Sequence, residues 1–259
     1  MKPTITLCIF MLSFLSLSLF AQNQEGKIVY TETVKFDLSE MEGMDEMPEE
    51  MKAMIPTEQS FQSVLFFTDK ESLYSNYEEK EKPKALDYKD PERDIEIQID
   101  MQMPEYKQYV NLKTGEQVES KDLFGKMFLI SSKKAESPKW KISNEKKEVA
   151  GHLCQKATYE GDEEEGTVEA WFTTEIPVSV GPRKFRQLPG AVLEVNFNNR
   201  QILATTIDFL TLEEGTITKP SKGKKVSAEE FKKIEAAKQK EMMEMYGGKG
   251  NIIIERDER

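Results

Sequence analysis

Between Trp140 and Phe209 the chain offers four runs of strand composition, each cut by Gly or Pro, and that alternation constrains the fold more than any other feature. Ile176-Pro177 ends the run that carries Trp171 and Phe172, because proline cannot donate to a strand ladder and keeps the residue before it extended. Gly181-Pro182 and Leu188-Pro189-Gly190 follow closely. Pro189 followed by Gly190 fits a type II turn, in which glycine supplies the positive φ. Between the two breaks lies Arg183-Lys184-Phe185-Arg186, a basic cluster in an acidic chain. The next run, AVLEVNF, alternates around Glu194 and Asn196, and Asn198-Asn199 reads as a hairpin turn into QILATTIDFL.

The rest of the chain keeps the same rhythm. Gly26 to Phe36 places Ile28, Tyr30, Val34 and Phe36 on one face, with Glu32 as the one charged exception. Ser60 to Thr68 and Glu71 to Tyr77 form a hairpin joined at Thr68-Asp69-Lys70. The stretch EEKEKPKALDYKDPER reads as a solvated charged loop, and Asp94 to Met101 as a half-buried strand. Tyr106 to Leu112 and Gln117 to Ser120 give another hairpin, and Lys126 to Ser131 a further strand. About ten short strands with turn signals every 8–12 residues indicate an antiparallel sheet rather than βαβ units. A sheet of that length must curl or fold over. The expected fold is mainly β, a curved antiparallel sheet of half-barrel or sandwich-like form with a C-terminal helix. Ser227-Ala228-Glu229-Glu230 is a capping box that opens this helix near Ala228, and Gly247-Gly248 ends it. Such a helix commonly plugs the concave face of a curved sheet. Asn251 to Glu255 fits an added edge strand or a frayed end.

Residues 1–21 read as a signal peptide, with Lys2 ahead of an apolar run and Leu19-Phe20-Ala21 before the cleavage point. The remainder, 22–259, reads as one domain that includes an acidic Met-rich insertion at 37–59 and a helix at 227–247. Loss of Lys2 takes the formal charge from −11 to −12. An acidic chain of this kind does not suit nucleic acid or electrostatic docking to anionic lipid. No second apolar run offers a membrane span, so a periplasmic or secreted location is expected. Cys154 is then the one remaining cysteine, and stability must come from a packed core.

The run AWFTTEIPVSVGPRKFRQLPGAVLEV, with GHLCQKAT upstream, resembles the GLPGLI family of secreted Bacteroidetes proteins. The variant motif is Gln187-Leu188-Pro189-Gly190-Ala191-Val192, with Gln187 where the family has its first Gly. The resemblance implies export and a curved sheet similar to periplasmic lipoprotein-carrier half-barrels, and it carries no activity.

No nucleophile elbow, phosphate-binding glycine loop or dinucleotide fingerprint is present, and no cofactor is implied. His152 and Cys154 lie two apart on one strand, ~6.5–7 Å from each other and beyond hydrogen-bond reach, so Cys154 reads as a small core residue. Met41, Met44, Met47, Met51 and Met54 recur at helical spacing. They form a packing face or, since thioethers favour Cu(I), a copper site that lacks His and Cys support. Arg183, Lys184 and Arg186, with Leu188, Pro189 and Gly190, mark an anion or partner-binding loop, set against pairing with the acidic turn Asp162 to Glu165. Trp171 and Phe172 line either a pocket or the core. The expected function is an exported binding or carrier module for a lipid or other apolar ligand. The alternatives are an interaction accessory for an envelope protein and copper handling through the Met segment.

Overall fold

The computed structural model describes residues 25–36, 52, 56–77, 86–90, 95–99, 104–134, 138–161 and 165–246. Residues 1–21, read as a signal peptide, Met41, Met44, Met47, Met51 and Met54, Asp162 to Glu164 and Asn251 to Glu255 lie outside the described residues.

Among the described residues fourteen strands and one long helix follow in chain order. They are β1 (Gly26–Lys35), β2 (Glu58–Phe67), β3 (Glu71–Asn76), β4 (Leu86–Asp90), β5 (Ile95–Ile99), β6 (Tyr106–Asn111) and β7 (Gln117–Leu123). Then come β8 (Lys126–Ser132), β9 (Lys141–Val149), β10 (His152–Glu160), β11 (Thr167–Thr173), β12 (Ala191–Phe197), β13 (Arg200–Phe209), β14 (Lys224–Ser227) and α1 (Ala228–Tyr246). Twelve strands form one open, curved sheet in the order β14-β8-β7-β6-β3-β2-β1-β13-β12-β11-β10-β9.

Local chemistry sets the turns. Thr68 Oγ1 accepts from the amides of Lys70 and Glu71 and closes the β2–β3 hairpin. Asn111 Oδ1 does the same for Lys113 and Thr114 before β7. Phe124-Gly125 and Ala150-Gly151 are two-residue loops with both residues at positive φ, which matches the twist of the flanking strands.

Two features differ from the sequence reading. Leu86–Asp90, read there as charged loop, pairs with β5 in a separate two-stranded sheet. β14 is a parallel addition beside β8, too short and lysine-rich to read as a strand.

Cross-strand partners share a face, so register maps the inner surface. One row runs Ile142, Ala157, Ala170, Val195, Ile202, Glu32, Phe61 across seven strands. A second runs Ile28, Leu65, Tyr74, Gln108, Glu119, Ile130, Val226. The face is apolar at both ends and polar over β6 and β7. The segment 174–190 folds over the first apolar part. Ile176, Val178, Val180, Phe185 and Leu188 are buried there with Tyr30, Leu65, Phe172 and Val195. Helix α1 covers the far end, where Phe231 meets Phe128 and Ile130. Its N-terminus is the expected capping box, with the Ser227 amide 2.8 Å from Glu230 Oε2 and the Glu230 amide 3.2 Å from Ser227 Oγ. That hydrogen bond holds the Glu230 carboxyl below the usual range.

Candidate functional site

The loop between β11 and β12 is built from tight turns. The Phe185 amide bonds the Pro182 carbonyl at 3.0 Å with Arg183 at φ 51°, and Gln187 sits at φ 71°. The position at which the resembled motif carries glycine therefore has a glycine-favouring conformation, which Gln187 adopts at some cost. The expected type II turn is replaced by a three-residue turn, the Gly190 amide bonding the Leu188 carbonyl at 2.8 Å. Gly190 has φ 151°, and a Cβ there would stand 1.9 Å from the Thr173 carbonyl oxygen. Close backbone contact with the end of β11, rather than turn type alone, demands this glycine.

Arg183 reaches the one charged residue of the β1 face. Its Nε and Nη2 donate to Glu32 Oε2 at 3.2 and 2.9 Å. Tyr74 donates its hydroxyl to Glu32 Oε1, and Ser63 Oγ lies 2.6 Å from that hydroxyl. The guanidinium also stands 4.9 Å from the centre of the Tyr106 ring. Burial alone would lower the Arg183 pKa, but Glu32, Tyr74 and Tyr106 reverse the effect and hold it above its usual value. Burial, reinforced by Glu32, pushes Tyr74 well up, and burial does the same to Tyr106. The Arg183 guanidinium stays charged against the Glu32 carboxylate, and Tyr74 and Tyr106 keep their hydroxyl protons at ordinary pH.

Lys184 turns outward and pairs with Glu165 at 2.5 Å. This is the last residue of the acidic turn considered above.

Arg186 turns inward and is 4% exposed. Its Nη2 donates to Gln117 Oε1 on β7, and its backbone carbonyl accepts from Trp140 Nε1 at 3.0 Å. Gln117 donates in turn to Glu119 Oε1, which Gln108 Nε2 approaches at 3.3 Å. Among the described residues Arg186 Nε is the one buried side-chain nitrogen or oxygen without a hydrogen-bond partner. Burial lowers the Arg186 pKa, with Glu119 opposing. Beyond Glu119 on the same face, Lys121 pairs with Glu235 of α1 at 2.6 Å. Gln117, Glu119 and Lys121 are half-buried. They floor a polar strip between the loop and the helix.

The other residues singled out from the sequence do not join this strip. Leu188 and Gly190 are buried and Pro189 is exposed. Phe172 is in the core. Trp171 shares the opposite face with Lys156 and Glu194, its ring 4.4 Å from Lys147 Nζ and its Nε1 bonded to Glu169 at 2.7 Å. Cys154 is buried, with burial pushing its thiol up to about 11, and His152 pairs with Glu175 at 2.8 Å. No cluster of three or more metal-ligating side chains occurs among the described residues. Tyr74, Tyr106, Gln117 and Glu119 gave no sign of a site in the sequence. Only Glu32 carried a signal, as the charge that breaks an apolar alternation.

Residues 160–194, from the end of β10 through the loop into β12, match the model of a family described as a protein of unknown function (Porph_ging). That family is associated with Bacteroidetes. No curated protein matches the sequence. Two solved structures, "Structure of PNGF-II in P21 space group" and "Structure of PNGF-II in C2 space group", share the fold at TM-scores of 0.51 and 0.53. Each is 16% identical over 82% of this chain. The chain spans about a third of their length, 33% in both.

Proposed function

We propose that the chain is an exported, non-enzymatic binding module of the cell envelope, of the GLPGLI type, that receives its ligand on the inner face of the sheet. The observation that supports this is the half-buried strip Gln117, Glu119 and Lys121, left between two covered apolar regions. Polar side chains facing into a curved sheet without full cover suit a binding surface better than a core. An apolar ligand, such as a lipid or acyl chain, would need the 174–190 loop to leave Tyr30, Leu65 and Phe172, which it buries. The strip itself suits a polar ligand.

A second reading, an accessory that binds an envelope protein, draws on the outward residues Lys184, Gln187 and Pro189 of the same loop. Copper handling by Met41, Met44, Met47, Met51 and Met54 is a third, and a Cu(I) titration of the chain lacking that segment tests it.

Native mass spectrometry of the protein taken from its own envelope fraction separates these readings. A small-molecule adduct supports the binding module. Loss of a co-purifying protein on replacing Lys184 and Gln187 with Ala supports the accessory. A bare chain in every preparation removes both.

A further inference from the structure

Arg183 and Arg186 leave the same loop on the same side, three residues apart, and enter different surroundings. Arg183 has a carboxylate across Nε and Nη2, supplied by Glu32. Arg186 has a neutral amide oxygen on Nη2 and nothing on Nε. Buried side-chain donors are nearly always satisfied, and a buried guanidinium without an ion pair carries a desolvation cost that a structure seldom leaves uncompensated. Glu119 does not fill the gap, because its Oε1 is turned to the amides of Gln117 and Gln108. The missing partner is therefore an acceptor oxygen at Nε. The neighbouring Arg183 shows which acceptor the loop accommodates, a carboxylate oxygen shared by Nε and Nη2.

Access runs along β7. Gln117 and Glu119 are half-buried whereas Gln108, Tyr106 and Arg186 are buried, and Arg186 Nε itself is covered, so a ligand arriving over Gln117 displaces that cover to reach it. Charge balance favours one negative charge over two. Arg183 is matched by Glu32 and Lys121 by Glu235, and Glu119 already offsets Arg186, so the strip is neutral and every further negative charge carries a cost. A monoanionic carboxylate fits that balance better than a phosphate dianion.

We propose that Arg186 is a ligand-binding residue that takes the carboxylate of a bound molecule at its Nε, with Gln117 fixing the guanidinium at Nη2. This rests on the binding-module reading and adds the chemical class of the ligand.

The test uses the full mature chain labelled with ¹⁵N-arginine. Its six arginines are Arg93, Arg183, Arg186, Arg200, Arg256 and Arg259, so Nε–H spectra are sparse. Sodium acetate is titrated against sodium chloride at matched ionic strength, then sodium phosphate in the same way. The expected result is a saturable acetate shift of the Arg186 Nε–H resonance, with the Arg183 resonance unmoved. The Arg186→Lys variant keeps the charge and removes the Nε donor and its signal, so in uniformly ¹⁵N-labelled protein the Gln117 side-chain amide is followed instead, and acetate is weakened about tenfold or more, the size of one charge-assisted hydrogen bond. A chloride response equal to acetate, a response to phosphate alone, or no saturable response overturns the proposal. The wild-type titration stands by itself if the variant does not fold. A ligand retained in native mass spectra together with a silent Arg186 would remove this inference and leave the binding module standing. A bare chain would remove the module.

Discussion

The inner face of the sheet is closed at both ends by unlike means. At the β1–β13 side a loop with residues at positive φ is tied down by distant partners, Arg183 to Glu32 and Arg186 to Gln117, and the strand after it by the Tyr30 hydroxyl, which donates to the Val192 carbonyl at 2.8 Å. At the β8–β14 side a helix with a local capping box rests on Phe128 and Ile130 through Phe231. The first closure depends on buried polar geometry, the second on apolar contact. A buried ion pair with one partner removed costs more than it contributed when whole, whereas an apolar contact degrades in proportion to the area lost. The loop end should therefore be the brittle one.

The strongest break is Gly190→Ala. Its Cβ meets the Thr173 carbonyl carbon and oxygen at 2.7 and 1.9 Å, both backbone atoms, at a φ that suits glycine. A loss of about 4 kcal/mol or more is expected in chemical denaturation, the range of severe strain and overpacking. Glu32→Ala comes next, at about 3 kcal/mol, because it leaves Arg183 partly buried without its charge partner. Glu32→Gln should recover part of that loss by keeping the Tyr74 hydrogen bond. At the helix end, Phe231→Ala should cost about 2 kcal/mol, less than a large-core truncation because its cluster is small. Trp140 fluorescence should not change, since Trp140 packs at the loop end against Tyr159 at 4.8 Å. If Phe231→Ala exceeds Glu32→Ala, the contrast between the ends fails. Arg186→Met should lie within about 1 kcal/mol of wild type, on either side, because it removes a buried charge that has no ion pair. The smallest effect is a gain of about 0.5 kcal/mol for Gln187→Gly, read as a small rise in melting temperature, since glycine relieves the φ of 71° but adds freedom to the unfolded chain.

The same contrast explains what the sequence made legible. Alternation in GKIVYTETVK or AVLEVNF and the Ser227–Glu230 box are local signals, and those elements stand close to where they were expected. The short lysine-rich β14 has no alternation to detect, and it forms because β8 offers an open parallel edge. The brace joins residues 151 apart in sequence, so neither Glu32 nor Arg183 alone reveals it. The basic cluster looked uniform in sequence. Folding divides it into one arginine with a carboxylate, one outward lysine and one arginine without an ion pair, because the turns at Arg183 and Gln187 aim successive side chains in different directions.

The pairing of β1 with β13 has a further consequence for how the molecule is made. Gly26 lies opposite Phe209 and Val34 opposite Arg200, so β1 waits for a strand synthesised long after it. Until then the meander from β1 to β8 has a bare rim at β1, with Glu32 unmatched beside it. Such long-range closure is slow, and an open strand rim invites pairing with other chains. The arrival of the basic loop and then β13 removes both hazards within about twenty residues of chain, the span from Arg183 to Gln201 and its neighbours. The loop thus acts once, as the latch of a sheet that has to remain open until β13 is present.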